Sequence, residues 1–273
     1  MMCLPQVRRF DWSNLGVRAV STLVLVPLVL AAVWLDGLWF LLLMSVGVAL
    51  LAIEWGQMTA PQAPVRIATA VTGAVLACLF LVFQDHTALA WMAMVIGAGA
   101  AALIARGVAE RPADAAFGVV YIAIPSVCLI WLRDKPEGMW WTYFLFAVTW
   151  AADIFAFLVG STLKGPKLWP RFSPNKTWSG FIGGLIGSMG VGAAVAMLTP
   201  LHLSLPAAAA IGLMGGAATM AGDLWESMLK RRFGVKDSGD LIPGHGGLLD
   251  RVDGLMFAAV VLAAARLVDF GWH

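Results

Sequence analysis

Apolar residues in this chain come in long unbroken blocks rather than in alternation. Blocks bounded by charged or turn-forming residues fall at 17–35, 38–53, 67–83, 88–104, 115–132, 140–160, 179–198, 205–228 and 252–270. Most approach the roughly 20 residues a helix needs to cross bilayer hydrocarbon. Hydrocarbon supplies no hydrogen-bond partners, so a crossing segment must satisfy its own backbone. Long blocks without period-two alternation therefore predict helices rather than barrel strands. The expected fold is all-α, a polytopic integral membrane protein with about nine transmembrane helices.

Composition agrees. Of 273 residues, 60% are hydrophobic and 12% charged, with a mean hydropathy of +0.84, which excludes an ordinary soluble domain. Nine spans with short connections use nearly the whole chain, so residues 1–273 are read as a single membrane domain. Within it, 1–139 holds mostly apolar helices, and 140–273 holds the helices and loops expected to carry chemistry. The basic start (Arg8, Arg9, Arg18) before an apolar run to Leu35 has the outline of a secretory signal. The run is long, lacks a small-x-small cleavage site and leads into further spans, so a retained first helix is expected.

With the N-terminus in the cytoplasm, all of the 18 lysines and arginines except Arg133, Lys135 and Arg266 fall on the cytoplasmic side. That asymmetry obeys the positive-inside rule. The three cysteines, Cys3, Cys78 and Cys128, are too scattered for a disulfide framework or a thiolate metal site, and packing is their expected role. No internal repeat is visible, which argues against a transporter made of two related halves.

Candidate chemistry begins in DLWESMLKRRFGVKDSGDLIPGHGGLLDRVDG, Asp223 to Gly254. On a helix, Asp223, Glu226, Ser227 and Lys230 recur at spacings of three and four and share a face. Acids at the end of a span need a cation or a watery cavity. A structural pair with Lys230 or Arg231 would meet that need, but would not explain Asp250 and Asp253 beside the same connection. Pro243 and the glycines Gly244, Gly246 and Gly247 around His245 predict a tight turn where backbone amides approach an anionic ligand. Asp250 and Asp253, three apart at a helix start, suit a hard cation that also takes phosphate oxygens. A lone loop histidine is usually just solvated, and only this glycine setting favours ligand contact for His245. No His/Cys spacing suggests zinc.

A second constellation lies upstream. Asp153 falls inside the sixth span, and the connection STLKGPKLWPRFSPNKTWSG carries Lys164, Lys167, Arg171 and Lys176 with no acid. Positive-inside bias alone would produce such a loop. The hydroxyls of Ser173, Thr177 and Ser179 beside Lys176, at a helix start near Ser179, add phosphate donors. Gly180/Gly184 and Gly183/Gly187 have the spacing of close helix packing. Tryptophans near span ends, such as Trp140, Trp141 and Trp178, fit interfacial anchoring. Neither a Walker loop nor a GxSxG elbow is present.

The run SMLKRRFGVKDSGDLIPGHGGLLDRVD closely resembles the signature of the phosphatidate cytidylyltransferase, or CDP-diacylglycerol synthase, family. Ser227, Lys230, Arg231, Lys236, Asp237, Gly239, Pro243, His245, Gly246, Gly247, Asp250, Arg251 and Asp253 all match it. Asp153, Gly160, Lys167 and SPNKTWSG are similar to the family's second region, where SPKKT is commoner, so Asn175 is a mild departure. The resemblance runs from Asp153 onward, and the first five spans match only in being apolar.

The resemblance implies an all-helical enzyme that joins CTP and phosphatidic acid, releasing pyrophosphate, with a divalent cation, usually Mg2+, and a second, monovalent ion such as K+. The nucleophile is already an anion, so positioning and charge neutralisation carry the reaction. Asp223 and Asp250 are the leading metal ligands, with Asp253, Asp237 and Asp153 secondary. Lys230, Arg231, Lys236 and Arg251 are assigned to the lipid phosphate or departing pyrophosphate. Ser173, Lys176, Thr177, Ser227, His245, Gly246 and Gly247 are assigned to substrate binding. The expected setting is the cell inner membrane, with the site facing the cytoplasm. CTP, phosphatidic acid and the bilayer are the expected partners, nucleic acid is not, and a homodimer is one assembly the sequence allows. Two rivals are a CTP-dependent polyprenol kinase, which would leave free CDP, and a cation-coupled transporter, which would spread its acids through several spans near the midplane.

Overall fold

The computed structural model describes residues 12–35, 37–239, 241 and 246–270, with side chains between 21 and 268. Arg8, Arg9, Cys3, Pro243, Gly244 and His245, and the side chain of Arg18, lie outside the described residues. Nine helices are seen among the described residues: α1 (Trp12–Leu35), α2 (Gly37–Thr59), α3 (Pro64–Phe83), α4 (Thr87–Ile104), α5 (Pro112–Asp134), α6 (Gly138–Leu163), α7 (Trp178–Leu198), α8 (Leu205–Arg232) and α9 (Leu249–Phe270). Seven of them, α2 to α8, are long and apolar enough to cross a membrane. The described side chains of α1 cover a shorter apolar stretch, Ser21–Leu35. α9 carries Asp250, Arg251, Asp253 and Arg266 along its 22 residues.

Helix starts follow local chemistry. Pro64 and Pro112 open α3 and α5, where the missing proline N–H costs nothing. The Ser204 hydroxyl caps α8 by accepting from Ala207 N at 3.4 Å. The last turn of α8 carries Lys230, Arg231 and Arg232, opposite in sign to the dipole there. Several helices overrun their apolar blocks, and three of them do so at the site: α2 ends at Thr59, α8 at Arg232, and α9 begins at Leu249. Their extra turns carry polar groups that find partners inside the protein, so the helix outlasts the hydropathy. The basic loop departs further from expectation. Its residues form an antiparallel hairpin of β1 (Lys167–Trp169) and β2 (Ser173–Thr177), with Lys167 opposite Thr177 and Trp169 opposite Ser173.

α2, α3, α4 and α5 pack as one group and α6, α7 and α8 as another, with α9 against both α5 and α8. The glycines of α7 behave as their spacing predicts. A Cβ at Gly180 would stand 2.8 Å from the Ala156 carbonyl, and one at Gly212 would stand 2.5 Å from that of Ser188, so α6, α7 and α8 touch backbone to backbone. Cys78 is fully buried in α3 and Cys128 half-buried in α5, consistent with packing. Large apolar side chains such as Phe80, Val95, Ile96, Phe157 and Leu198 remain exposed on the outer surface, as a lipid-facing wall requires.

Alternate connections meet at opposite ends. At one end, the Arg133 guanidinium donates to Val33 O at 2.7 Å, and the Tyr143 hydroxyl to Leu30 O at 3.0 Å. There Arg266, 1% exposed, donates to Leu132 O at 2.7 Å and also to Pro136 O, and packs on Trp131 and Trp141. In the turn after α3, the Lys135 ammonium holds the Asp85 carboxyl below the usual carboxylate range, by hydrogen bond and then by charge. The other end gathers the turns after α2, α4, α6 and α8, and the described residues among those singled out for chemistry.

Candidate active site

The last turns of α8 aim one side of the site. Glu226 and Lys230 are one helical turn apart, and the Lys230 ammonium donates to Glu226 Oε2 at 3.0 Å. The same ammonium pairs with Asp250 Oδ1 in the first turn of α9. Asp250 Oδ2 accepts from Ser238 N at 3.1 Å and Ser238 Oγ at 3.0 Å. Asp250 is thus fixed from two directions, by α8 and by the connection that follows it.

That connection is held from a distant part of the chain. Glu54, fully buried in α2, accepts from Leu248 N at 2.6 Å and Leu249 N at 2.7 Å, and at 3.3 Å shares with Asp250 the single proton of the Ser238 hydroxyl. These are the unsatisfied amides of α9's start, which a carboxylate stabilises. Beside it, Trp55 Nε1 donates to Asp114 O at 3.0 Å, and Arg232 pairs with Asp114 Oδ1 at 2.6 Å. Two glycines make the close fit. Gly246 has a φ of +80°, and a Cβ at Gly247 would fall 1.9 Å from Ser238 Oγ.

None of Glu54, Trp55 and Asp114 belongs to the set expected from sequence. Glu54 lies just past the apolar block ending at 53, where a single acid at a span end carries no special signal. Its ionisable character in an otherwise apolar helix was the one available hint. The apolar N-terminal helices therefore do more than fill the bilayer, because α2 clamps the connection that carries the motif and α5 holds the last turn of α8.

The second half of the site is built by the hairpin. Thr177 Oγ1 caps α7 by accepting from Gly180 N at 3.1 Å and contacts Ser179 Oγ at 3.1 Å, while Ser179 Oγ donates to Lys164 O. Ser173 begins β2 and is half-buried. Lys176 reaches from β2 to pair with Asp223 on α8. Asp153 feels both the Asp223 carboxylate and the Lys176 ammonium, and Asp253 likewise feels both. A cavity of 540 Å³ opens here among α6, α7, α8 and the hairpin, lined by Asp153, Lys176, Thr177 and Asp223. Its size is that of a small-molecule site.

The two halves form one electrostatic chain. Asp153 interacts with Asp223, Asp223 with Asp253, Asp253 with Glu226, and Glu226 with Asp250. Lys176 is seated at one end and Lys230 at the other. Five carboxyl groups stand around two ammoniums, which leaves oxygen donors to spare. Hard oxygen donors in excess fit a divalent cation, and one or two of them suffice when phosphate completes the shell. Among the described residues no three His, Cys, Asp or Glu side chains form a ready-made metal cage. Ser227 is half-buried on α8, whereas Arg231, Lys236, Asp237 and Arg251 are exposed.

Fold and site together define a class, a polytopic helical membrane protein whose ionisable groups converge at one end beside an open cavity. The chain belongs to the cytidylyltransferase family, whose model matches residues 16–268. It is 39% identical over 254 residues to a phosphatidate cytidylyltransferase of Brucella abortus biovar 1 (strain 9-941), covering 92% of both chains. A protein of the same name from Rickettsia bellii (strain RML369-C) is 31% identical over 257 residues, 92% of this chain and 90% of the relative. Another, from Staphylococcus saprophyticus, is 41% identical over 150 residues, 55% of this chain and 58% of its own length. These likenesses favour neither a polyprenol kinase nor a transporter.

Proposed function

We propose that the protein catalyses CTP + phosphatidate → CDP-diacylglycerol + pyrophosphate at the cytoplasmic face of a bacterial inner membrane. The observation that carries this reading is end-to-end similarity to phosphatidate cytidylyltransferases, 39% identity over 92% of both chains. The cytoplasmic orientation is supported by the basic residues concentrated at the site end. It is also the side on which a soluble nucleotide and a lipid head group can meet.

In the reaction, an oxygen of the lipid phosphate bonds to the α-phosphorus of CTP as the bond to the β-phosphate breaks and pyrophosphate departs. No strong base is required of the protein. Its work is to hold two anions in line and offset their charge in a partly dehydrated site. Lys176 and Lys230 each hold a carboxylate, and each can pass to a phosphate oxygen. The cavity beside Lys176 and Thr177 suits the nucleotide phosphates, and the exposed Arg231, Lys236 and Arg251 suit the lipid phosphate or pyrophosphate. Asp223 and Asp250, with Asp253 between them in the electrostatic chain, would hold Mg2+; Asp153 supports that end, and a monovalent ion such as K+ would share the acidic cluster. Bound there, a divalent cation supplies charge neutralisation to the phosphates.

The test is transfer of label from α-phosphate-labelled CTP to phosphatidic acid by the purified protein, with and without Mg2+, beside Asp250→Asn. Labelled lipid formed only with Mg2+, and reduced at least about 100-fold in the variant, is the expected result. Free labelled CDP with an unlabelled lipid would point to a kinase instead, and no turnover by folded protein across several cations would sink the reading.

A further inference from the structure

A second cavity lies on the far side of α8, between α5, α8 and α9. Its volume is 330 Å³, and Phe117, Tyr121, Pro125, Trp225, Phe257 and Val261 contribute to an almost wholly apolar lining. Two atoms break that character. The Tyr121 hydroxyl and the Trp225 indole nitrogen are buried with no hydrogen-bond partner. Tyr121 is only 8% exposed, and its ring is fixed by Trp55 at 5.6 Å and Phe117 at 5.7 Å, so the hydroxyl cannot swing out to water.

An unpartnered donor is costly in protein and more so in lipid, where nothing else is available to accept. The indole N–H donates only. A ligand that suits the groove offers an acceptor oxygen while presenting apolar surface to the rest of the lining. Water meets the first need and not the second. A fatty-acyl ester meets both.

Position narrows the choice further. Tyr121 interacts electrostatically with Glu226 and Asp253, so the groove abuts the charged cluster. Glu226 follows Trp225 in α8 and interacts with Asp253 and Asp250, so it links the groove to that cluster. A lipid with its phosphate at Lys230 would carry its glycerol esters toward this junction and its chains into the groove.

We propose that the α5–α8–α9 groove seats the acylated end of the phosphatidate substrate, with Tyr121 and Trp225 donating to an acyl-ester carbonyl and so selecting ester-linked over ether-linked lipid. This rests on the cytidylyltransferase reading above.

Two experiments on the full chain test it. In the first, a phosphatidate with a diazirine in one acyl chain is photolysed on the protein without CTP, and the labelled peptides are mapped. Label should fall on α5, α8 and α9 and be competed by dioleoyl phosphatidate but not by dioleoyl phosphatidylcholine. Label elsewhere, or equal competition by both lipids, overturns the proposal. In the second, turnover of diacyl and dialkyl phosphatidate is compared. The wild type should prefer the diester by roughly tenfold in kcat/KM, the effect of about one hydrogen bond. Tyr121→Phe and Trp225→Phe should each erase most of that preference, while the melting temperature of substrate-free Tyr121→Phe stays level or rises. An unchanged ester-to-ether ratio, or a lower melting temperature in Tyr121→Phe, means the hydroxyl serves structure alone and the proposal fails. If the wild type converts neither lipid, the cytidylyltransferase reading fails, and the labelling pattern still decides the groove.

Discussion

Glu54 offers the sharpest test of how the site is held. Its carboxyl oxygens accept from Leu248 N and Leu249 N at 2.6 and 2.7 Å, and at 3.3 Å share the Ser238 hydroxyl proton with Asp250, in a side chain with no exposure. Glu54→Ala would leave two backbone N–H groups at α9's start without an acceptor. At about 1–3 kcal/mol for each buried unsatisfied group, the cost is about 2–6 kcal/mol, against a typical total near 5–15 kcal/mol. Glu54→Gln is the cleaner perturbation. The amide keeps one oxygen for one N–H and turns an NH2 toward the other, so it should cost about half as much, roughly 1–3 kcal/mol.

The consequence is local. The Leu248 and Leu249 amides of Glu54→Gln should exchange with deuterium roughly 5- to 150-fold faster than in the wild type, with α3 and α4 unaffected. Asp250 loses part of its alignment as Ser238 loosens, so kcat should fall more than the KM for CTP changes. Unchanged exchange at Leu248 and Leu249 in folded Glu54→Gln would refute the clamp, whatever the activity.

Further predictions concern α8 and the hairpin. A Cβ at Gly222 would lie 2.4 Å from the Asp253 carbonyl, a backbone atom that cannot rotate away. Gly222→Ala should therefore push α9 off α8, costing roughly 1–3 kcal/mol in thermal unfolding and most of the activity. Gly190→Ala, with nothing within 4 Å of the new methyl, is the control and should be neutral or gain up to ~1 kcal/mol. Lys176→Ala should lower kcat/KM for CTP by roughly 100- to 1,000-fold with little loss of stability, since its pair with Asp223 is partly exposed. Lys176→Arg should recover part of that loss. A melting temperature lowered as much as the activity would show that Lys176 serves folding instead.

The sequence alone determined the helices and their order, because the need to bury backbone in lipid leaves one solution for long apolar blocks. It also exposed the charged stretch from Asp223 to Asp253 and the basic loop before α7, because ionisable groups stand out in a chain this apolar. Gly180 and Gly184 were legible for another reason, since close helix packing has a fixed spacing. What it could not supply was which distant groups meet. Glu54 and Ser238 are 184 positions apart, and Arg232 and Asp114 are 118 apart; no local periodicity links such pairs. The hairpin stayed hidden because β1 has only three residues and β2 five, too short for alternation to register. Nothing local in the sequence marks the donors of Tyr121 and Trp225, which the packing of α5, α8 and α9 leaves without acceptors. Periodicity and solvent decide the elements, whereas pairing across the bundle, which decides how each charge is compensated, belongs to the tertiary structure.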